Sequence, residues 1–250
     1  MVISFVGAGN LATHLAQALK AQGHQIAGVW SRTEPSARVL ARSLQCLWTT
    51  DITCLETDVD MVFFCVKDSC LEELAGKVDT SALCVHTAGS MPLEVLPQEH
   101  RGVLYPMQTF SKQRQIDFKQ IPIFLEAEGE QEKRVLRQLA DSLSSNVSFL
   151  TSQQRRTLHL AAVFACNFTN RCFDIAAELL EAQGLSFQNM LPLIDETVNK
   201  VHSLSPLQAQ TGPAIRWDEN VMQKHLDQLE GINQEIYELM SLSIHKRATE

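Results

Sequence analysis

Residues 2–23 decide the fold, and they read V-I-S-F-V-G-A-G-N-L-A-T-H-L-A-Q-A-L-K-A-Q-G. An apolar run ends at Gly7, Gly9 follows, and apolar residues then recur at helical spacing. This order predicts a strand, a glycine turn and a helix, the context that a dinucleotide-binding fingerprint requires. Gly7 permits a tight turn, and Gly9 lets a pyrophosphate approach the free N–H groups at the start of the helix. The third position of the fingerprint is Ala12, which still allows close packing of helix on strand.

The predicted pyrophosphate contacts are Gly7, Ala8, Gly9, Asn10 and Leu11. The alternative is an ordinary turn between a strand and a helix, with no ligand.

The end of the second predicted strand, residues 25–30, indicates which dinucleotide binds. Ser31, Arg32 and Thr33 follow this strand, and no acidic residue ends it. NAD sites usually carry an acidic residue there for the ribose 2′-hydroxyl, whereas an arginine accommodates a 2′-phosphate. The sequence therefore predicts NADP(H) as the cofactor. The alternative is that Arg32 is a solvated loop residue.

Composition excludes several classes of protein. The chain has 250 residues, 45% of them hydrophobic, and a formal net charge of −8 at pH 7, which suits a globular protein and disfavours nucleic-acid binding. No apolar run is long enough to span a bilayer, and we expect neither a signal peptide nor membrane association. Seven scattered cysteines and eight histidines without paired ligand spacing predict a cytoplasmic protein with no disulfide and no metal site.

The pattern of predicted elements divides the chain in two. Up to about residue 150, short apolar runs alternate with helical patterns, as in a parallel α/β sheet of the doubly wound Rossmann type. Long helical patterns without strands follow at 152–183, 186–202 and 218–244. We therefore predict an NADP-binding Rossmann domain at 1–151 and an all-helical domain at 152–250, with substrate in the cleft between them.

Residues that follow two further predicted strands are candidate contacts for the cofactor and its nicotinamide ring, because loops after parallel strands face the ligand. They are Val66 and Lys67 after one strand, and Thr87, Ala88 and Gly89 after the next. The missing side chain of Gly89 would let a flat ring come close. The alternative is that all of these are turn residues. His86 is either a core histidine or a site residue.

Residues 104–111, L-Y-P-M-Q-T-F-S, combine an aromatic ring, a proline, an amide and hydroxyls. Proline restricts Tyr105 to an extended conformation, which would hold its phenol in one direction. Tyr105 and Gln108 are candidate substrate contacts. The alternative is an elbow between domains.

The first long helical pattern contains the candidate catalytic residues. His159, Val163, Asn167 and Asn170 are spaced to lie near one face of an α-helix. Asn167 stands in the apolar run V-F-A-C-N-F-T-N, where burial without a partner would be costly, so it is predicted to bond cofactor or substrate. His159 is the candidate proton donor. The alternative for Asn167 is a structural amide bonded to helix backbone.

Residues 208–218, Q-A-Q-T-G-P-A-I-R-W-D, interrupt the helical half. Thr211 is a candidate helix cap, and Arg216 in the first turn is a candidate contact for an anionic substrate. The alternative is that Arg216 pairs with Asp218 or Glu219 at the surface.

The segments G-A-G-N-L-A, Y-P-M-Q-T-F-S, A-C-N-F-T-N and Q-T-G-P-A-I-R-W-D together resemble a family of bacterial Rossmann-like NADP oxidoreductases, labelled by analogy as dependent on the deazaflavin coenzyme. That family is similar to pyrroline-5-carboxylate reductase, with which the G-P-A segment is shared, and to the β-hydroxyacid dehydrogenases. The resemblance implies a helical domain like the C-terminal domain of 6-phosphogluconate dehydrogenase, and a homodimer formed through it.

One departure from these relatives narrows the expected reaction. If Asn167 matches the helix asparagine of the β-hydroxyacid dehydrogenases, their catalytic lysine is replaced by Val163. An iminium carbon needs little acid assistance, so imine reduction does not require that lysine. We expect an NADP(H)-dependent oxidoreductase moving hydride to or from a small carbonyl or imine substrate. The alternatives are a non-catalytic NADP-binding sensor or regulatory protein, and an assembly partner whose helical half serves mainly to dimerise.

Overall fold

The computed structural model describes residues 1–250 as two compact units, residues 1–163 and 164–250. The first unit extends past residue 151 because the helix that follows carries Arg155, which is buried and pairs with Glu126 of the sheet. The division into functional domains at 1–151 and 152–250 stays a prediction.

The first unit is built on one eight-stranded sheet in the order β3-β2-β1-β4-β5-β6-β7-β8. Its strands, numbered along the chain, are Val2–Val6, Gln25–Trp30, Leu47–Thr49, Met61–Phe64, Leu83–His86, Arg101–Pro106, Ile123–Ala127 and Val147–Phe149. The order of the first six is that of the doubly wound Rossmann fold. The predicted fold class is confirmed.

Strand β7 departs from the predicted parallel sheet, because it runs antiparallel to β6. A parallel neighbour requires a crossover connection, usually a helix. Residues 107–122 between these strands contain only the 3-10 turn Phe118–Gln120. Without a crossover helix, the chain returns alongside β6 in the opposite direction.

The helices of the first unit cover both faces of the sheet. They are α1 (Asn10–Ala21), α2 (Glu34–Leu44), α3 (Asp68–Ala75), α4 (Glu130–Leu143) and α5 (Ser152–Ala162). One core cluster joins Phe5 and Phe63, whose rings stack at 5.3 Å, to α1, α2 and α4. A second cluster packs Phe64 against Leu71 of α3. Burial on both faces explains why β1 and β4 are almost continuously apolar.

The second unit is helical, as predicted, but its helices are shorter than the sequence pattern indicates. They are α6 (Thr169–Glu181), α7 (Leu191–Lys200), α8 (Pro206–Ala209), α9 (Pro213–Arg216), α10 (Glu219–Leu226) and α11 (Gly231–Thr249). A π-helical segment, Val163–Phe168, interrupts the first predicted helix. The last one breaks before Gly231, which has a φ of 55° that favours glycine. No helix has the length and apolar character needed to cross a bilayer.

Candidate cofactor and substrate site

The turn between β1 and α1 requires glycine for two different reasons. Gly7 has a φ of 119°, and a Cβ there would lie 2.3 Å from the carbonyl oxygen of Cys65. A Cβ on Gly9 would meet no atom within 4 Å, so the space above Gly9 is open to a ligand. No side chain caps α1 at Gly9, which leaves the N–H groups of its first turn without helical partners. These features fit a pyrophosphate.

A groove runs along the carboxyl ends of β1, β2 and β4. Its lining residues are Gly7, Ala8, Gly9, Trp30, Ser31, Arg32, Thr33, Ser36, Cys65, Val66, Lys67, Cys70 and Leu74. The structure thus brings most of the predicted cofactor contacts into one groove. Asn10 and Leu11 stand beside it at the start of α1, where Asn10 Nδ2 donates a hydrogen bond to Phe110 O at 2.8 Å.

Arg32 is exposed and forms no salt bridge, whereas the nearby Glu34 pairs with Arg38 at 3.3 Å. Ser31 is nearly buried, and its backbone N–H donates to Thr49 O. The guanidinium therefore lies at the rim of the groove without a competing carboxylate.

Three predicted residues meet at a second point of the first unit. The hydroxyl of Tyr105 and Nδ1 of His159 share a hydrogen bond of 3.1 Å. A Cβ on Gly89 would lie 2.6 Å from the same Nδ1. The absence of a side chain at Gly89 thus makes room for the His159 ring. The sequence had suggested that this space would accommodate a flat cofactor ring instead. Thr87 and Ala88 are buried in the same loop.

Arg155 supports this cluster, and sequence reasoning missed it. Its side chain is 1% exposed, and Nη1 donates to the carbonyl oxygens of Ala88, Gly89 and Met91. Nη2 donates to Glu126 Oε2 at 2.7 Å. Burial lowers the pKa of Arg155, and the Glu126 carboxylate opposes that shift. The sequence did contain one signal for Arg155: it lies one helical turn before His159, so the two side chains share a side of α5.

His86 is a core histidine of this loop. It is fully buried, with Nε2 3.2 Å from Pro92 O, and Nδ1 accepts a hydrogen bond from the backbone of Ala88. Burial, and secondly the charge of Arg155, lower the pKa of His86 to about 3. His86 is therefore neutral at physiological pH and orders the loop rather than transferring protons.

The single chain places Asn167 differently from the pattern that pointed to it. The residue is exposed rather than buried among apolar side chains, since Phe164 and Phe168 are themselves 62% and 52% exposed. It also lies in the π-helical segment, where the α-helical spacing from Val163 does not apply. Asn167 belongs to the second unit, and its catalytic role stays a prediction.

Arg216 also lies in the second unit and is exposed at the end of α9. It pairs with neither Asp218, which caps α10, nor Glu219, which accepts a hydrogen bond from Trp217. Thr211 does not cap a helix, because Gly212 occupies the N-cap of α9. In the first unit, the amide of the exposed Gln108 accepts a hydrogen bond from the backbone of Thr109. Substrate roles for Gln108 and Arg216 stay predictions.

Comparison with known proteins agrees with this geometry. The family model described as NADP oxidoreductase, coenzyme F420-dependent, matches residues 2–85. A domain of unknown function, DUF2520, matches residues 121–244. No curated protein matches the chain.

Several solved structures are similar over nearly the whole chain. A Bacteroides fragilis protein described as a candidate NADP oxidoreductase is 49% identical, with 98% of each chain covered and a TM-score of 0.92. An imine reductase from Myxococcus stipitatus, in complex with NADP+, is 16% identical over 98% of this chain and 92% of its own, with a TM-score of 0.68. The 1-pyrroline-5-carboxylate reductase of Streptococcus pyogenes is 18% identical over 100% and 99%, with a TM-score of 0.62.

The likeness to the two reductases shows a shared fold. The identity to the Bacteroides fragilis protein extends along both units. The chain therefore belongs to the NADP oxidoreductase family.

Proposed function

We propose that the protein is an NADP(H)-dependent oxidoreductase that moves hydride to or from a small carbonyl or imine compound. One observation carries the proposal: the open glycine turn and the unpaired Arg32 lie along a single groove at the carboxyl ends of parallel strands. Such a groove is where doubly wound folds bind dinucleotides. The imine and pyrroline-5-carboxylate reductases of the same fold support the substrate class.

Each part of the groove has a distinct role in this proposal. The backbone of the turn at Gly7–Gly9 and the first turn of α1 bind the pyrophosphate, while Ser31, Arg32 and Thr33 bind the 2′-phosphate. Bound NADPH supplies the hydride. The protein's task is to hold cofactor and substrate in register and to exclude competing water.

We further propose that His159 donates the proton that balances hydride transfer. When the Tyr105 hydroxyl donates to Nδ1, the imidazole carries its proton on Nε2, which is then the transferable one. The Arg155 side chain fixes the loop against which the His159 ring packs. Tyr105 and Arg155 are positioning residues in this scheme.

The first test is a thermal melt with NADPH, NADP+ or NADH, followed by turnover of the same samples with cyclic imines and small carbonyl compounds. NADPH at 100 times its Kd is expected to raise the free energy of unfolding by about 2.7 kcal/mol. NADH at equal concentration is expected to shift the melt much less. Substitution His159→Asn is expected to keep the NADPH shift and to lower kcat by about 100-fold, the usual effect of removing a general acid.

The outcomes separate the candidate functions. Absence of a shift with every nucleotide contradicts NADP(H) binding, and the oxidoreductase proposal falls with it. A shift specific for phosphorylated cofactors without turnover of any substrate favours the sensor or regulatory protein, a reading that the valine at position 163 also supports.

We also propose that the protein forms a homodimer through its helical unit. The only buried residues of that unit are Ala214, Met222 and Ser241. Large apolar side chains are exposed on several of its helices, among them Leu193 of α7 and Leu239 of α11 at 59% and 68%. A soluble unit of this size rarely leaves so much apolar surface uncovered, and a second copy of the same surface is its simplest complement.

Sedimentation or light scattering is expected to give twice the monomer mass, and Leu239→Glu is expected to shift the protein towards monomer, because a charge would be buried in an apolar interface. The matched control is Val39→Glu in the first unit, where an apolar side chain is 67% exposed. A monomeric wild-type protein, or equal effects of the two substitutions, would contradict the proposed interface.

A further inference from the structure

The segment 107–117, which follows β6, contacts helix α1 at two points and the glycine turn at a third. Asn10 Nδ2 donates to Phe110 O at 2.8 Å, and His14 Nε2 lies 2.9 Å from Ser111 O. Lys112 Nζ donates to Ala8 O at 3.2 Å. The segment therefore reaches back across about one hundred residues of sequence to the start of α1.

Phe110, two residues before Lys112, holds this segment against the rest of the first unit. The Phe110 ring packs against His14 and Phe118 with centroid distances of 5.7 and 5.9 Å, and Phe110 also contacts the main core cluster. The position of the Lys112 backbone is thus set by neighbours on α1 and in the core.

The charge of Lys112 is not used within the protein. Its side chain is exposed, its one hydrogen bond is to the neutral carbonyl of Ala8, and it forms no salt bridge. An ammonium group has three donors, so two remain. Ala8 stands between the two turn glycines, and the first turn of α1 carries no acidic residue. A cation with spare donors therefore lies at the edge of the turn where a pyrophosphate has to approach.

We propose that Lys112 binds the pyrophosphate of the dinucleotide and supplies the positive charge that the turn itself lacks. This inference rests on the proposed function, because it requires a dinucleotide in the groove. Lys112 and Arg32 then have separate tasks. Lys112 holds the group that all nicotinamide dinucleotides share, whereas Arg32 selects those with a 2′-phosphate.

The test measures the Kd of NADPH and of NADH by fluorescence titration for the wild-type protein, Lys112→Met, Lys112→Gln and the control Lys119→Met. Lys119 is an exposed lysine without a salt bridge, in the 3-10 turn Phe118–Gln120 of the same connection. We expect Lys112→Met to weaken NADPH and NADH by the same factor, about tenfold, as loss of a charge-assisted hydrogen bond does. The control should bind both as the wild type does.

The glutamine variant separates charge from loop anchoring. Lys112→Gln keeps a donor for Ala8 O, so it should melt like the wild-type apoprotein but bind both dinucleotides as weakly as Lys112→Met. Raising the salt concentration should weaken binding to the wild type more than to either variant. Salt screens the attraction between the Lys112 ammonium and the pyrophosphate, and both variants lack that ammonium.

Unchanged affinity of Lys112→Met, full affinity of Lys112→Gln, or a loss confined to NADPH would each overturn the role of Lys112 and leave the proposed function intact. A wild-type protein that binds neither dinucleotide would overturn the proposed function first, and this inference with it.

Discussion

Replacing Arg155 by methionine is expected to lower the free energy of unfolding by about 3–5 kcal/mol, the usual cost of removing one partner of a buried ion pair. The substitution leaves the Glu126 carboxylate, 16% exposed, without its cation. It also removes the donor shared by three carbonyl oxygens of residues 88–91. The loss of stability should therefore have two causes: an unpaired carboxylate at Glu126, and a loop at residues 88–91 that is no longer held against His159.

Urea unfolding of the variant, compared with Arg156→Met, measures this effect. Arg156 is adjacent and exposed, and bonds only Gln153, so its loss should cost less than about 1 kcal/mol. Adding Glu126→Gln to Arg155→Met should restore part of the stability, since the buried charge is then removed. Equal destabilisation by the two arginine substitutions would show that the pair contributes little.

Substitution Arg32→Ala is expected to weaken NADPH by about 100-fold and NADH by less than about threefold. Two charge-assisted hydrogen bonds to a 2′-phosphate contribute about 3 kcal/mol together, and each 1.4 kcal/mol is a factor of ten. The exposure of Arg32 and the pairing of Glu34 with Arg38 leave the guanidinium available for that contact.

Titration of both dinucleotides into Arg32→Ala and Arg42→Ala decides this prediction. Arg42 is an exposed arginine in the last turn of the adjacent helix α2, where it forms no salt bridge and leaves the pairing of Glu34 with Arg38 intact. Its removal should change neither affinity appreciably. Equal losses of NADPH and NADH affinity in Arg32→Ala would contradict the 2′-phosphate assignment and return Arg32 to a solvated loop residue.

Local pattern predicted the strands and their ends well. Strand β2 has the predicted bounds, residues 25–30, because an apolar run is a property of neighbouring residues. The direction of β7 was not predictable in this way, since it depends on whether the preceding connection forms a helix. The short strand β3 was missed because it has three residues and is only partly buried.

The residues of the candidate site also differ in whether a local sequence signal could identify them. The glycine turn and Ser31–Thr33, which line one groove, could be selected from the sequence because a fingerprint and a strand end are local signals. Arg155 was missed because its partners, Glu126 and the loop at Ala88, are distant in sequence. The helix face on which Asn167 lies was not predictable, because a π-helical segment changes which side chains share a face and periodicity carries no signal for it.

All the residues that line the cofactor groove come from positions 7–74, whereas Tyr105 and His159 come later in the chain. Under the proposed function, the groove that holds the cofactor and the proposed proton donor are therefore encoded in separate stretches of sequence, with Lys112 as the one later residue that reaches the glycine turn. We expect substitutions around Tyr105 and His159 to alter the proposed reaction while the lining of the groove stays the same.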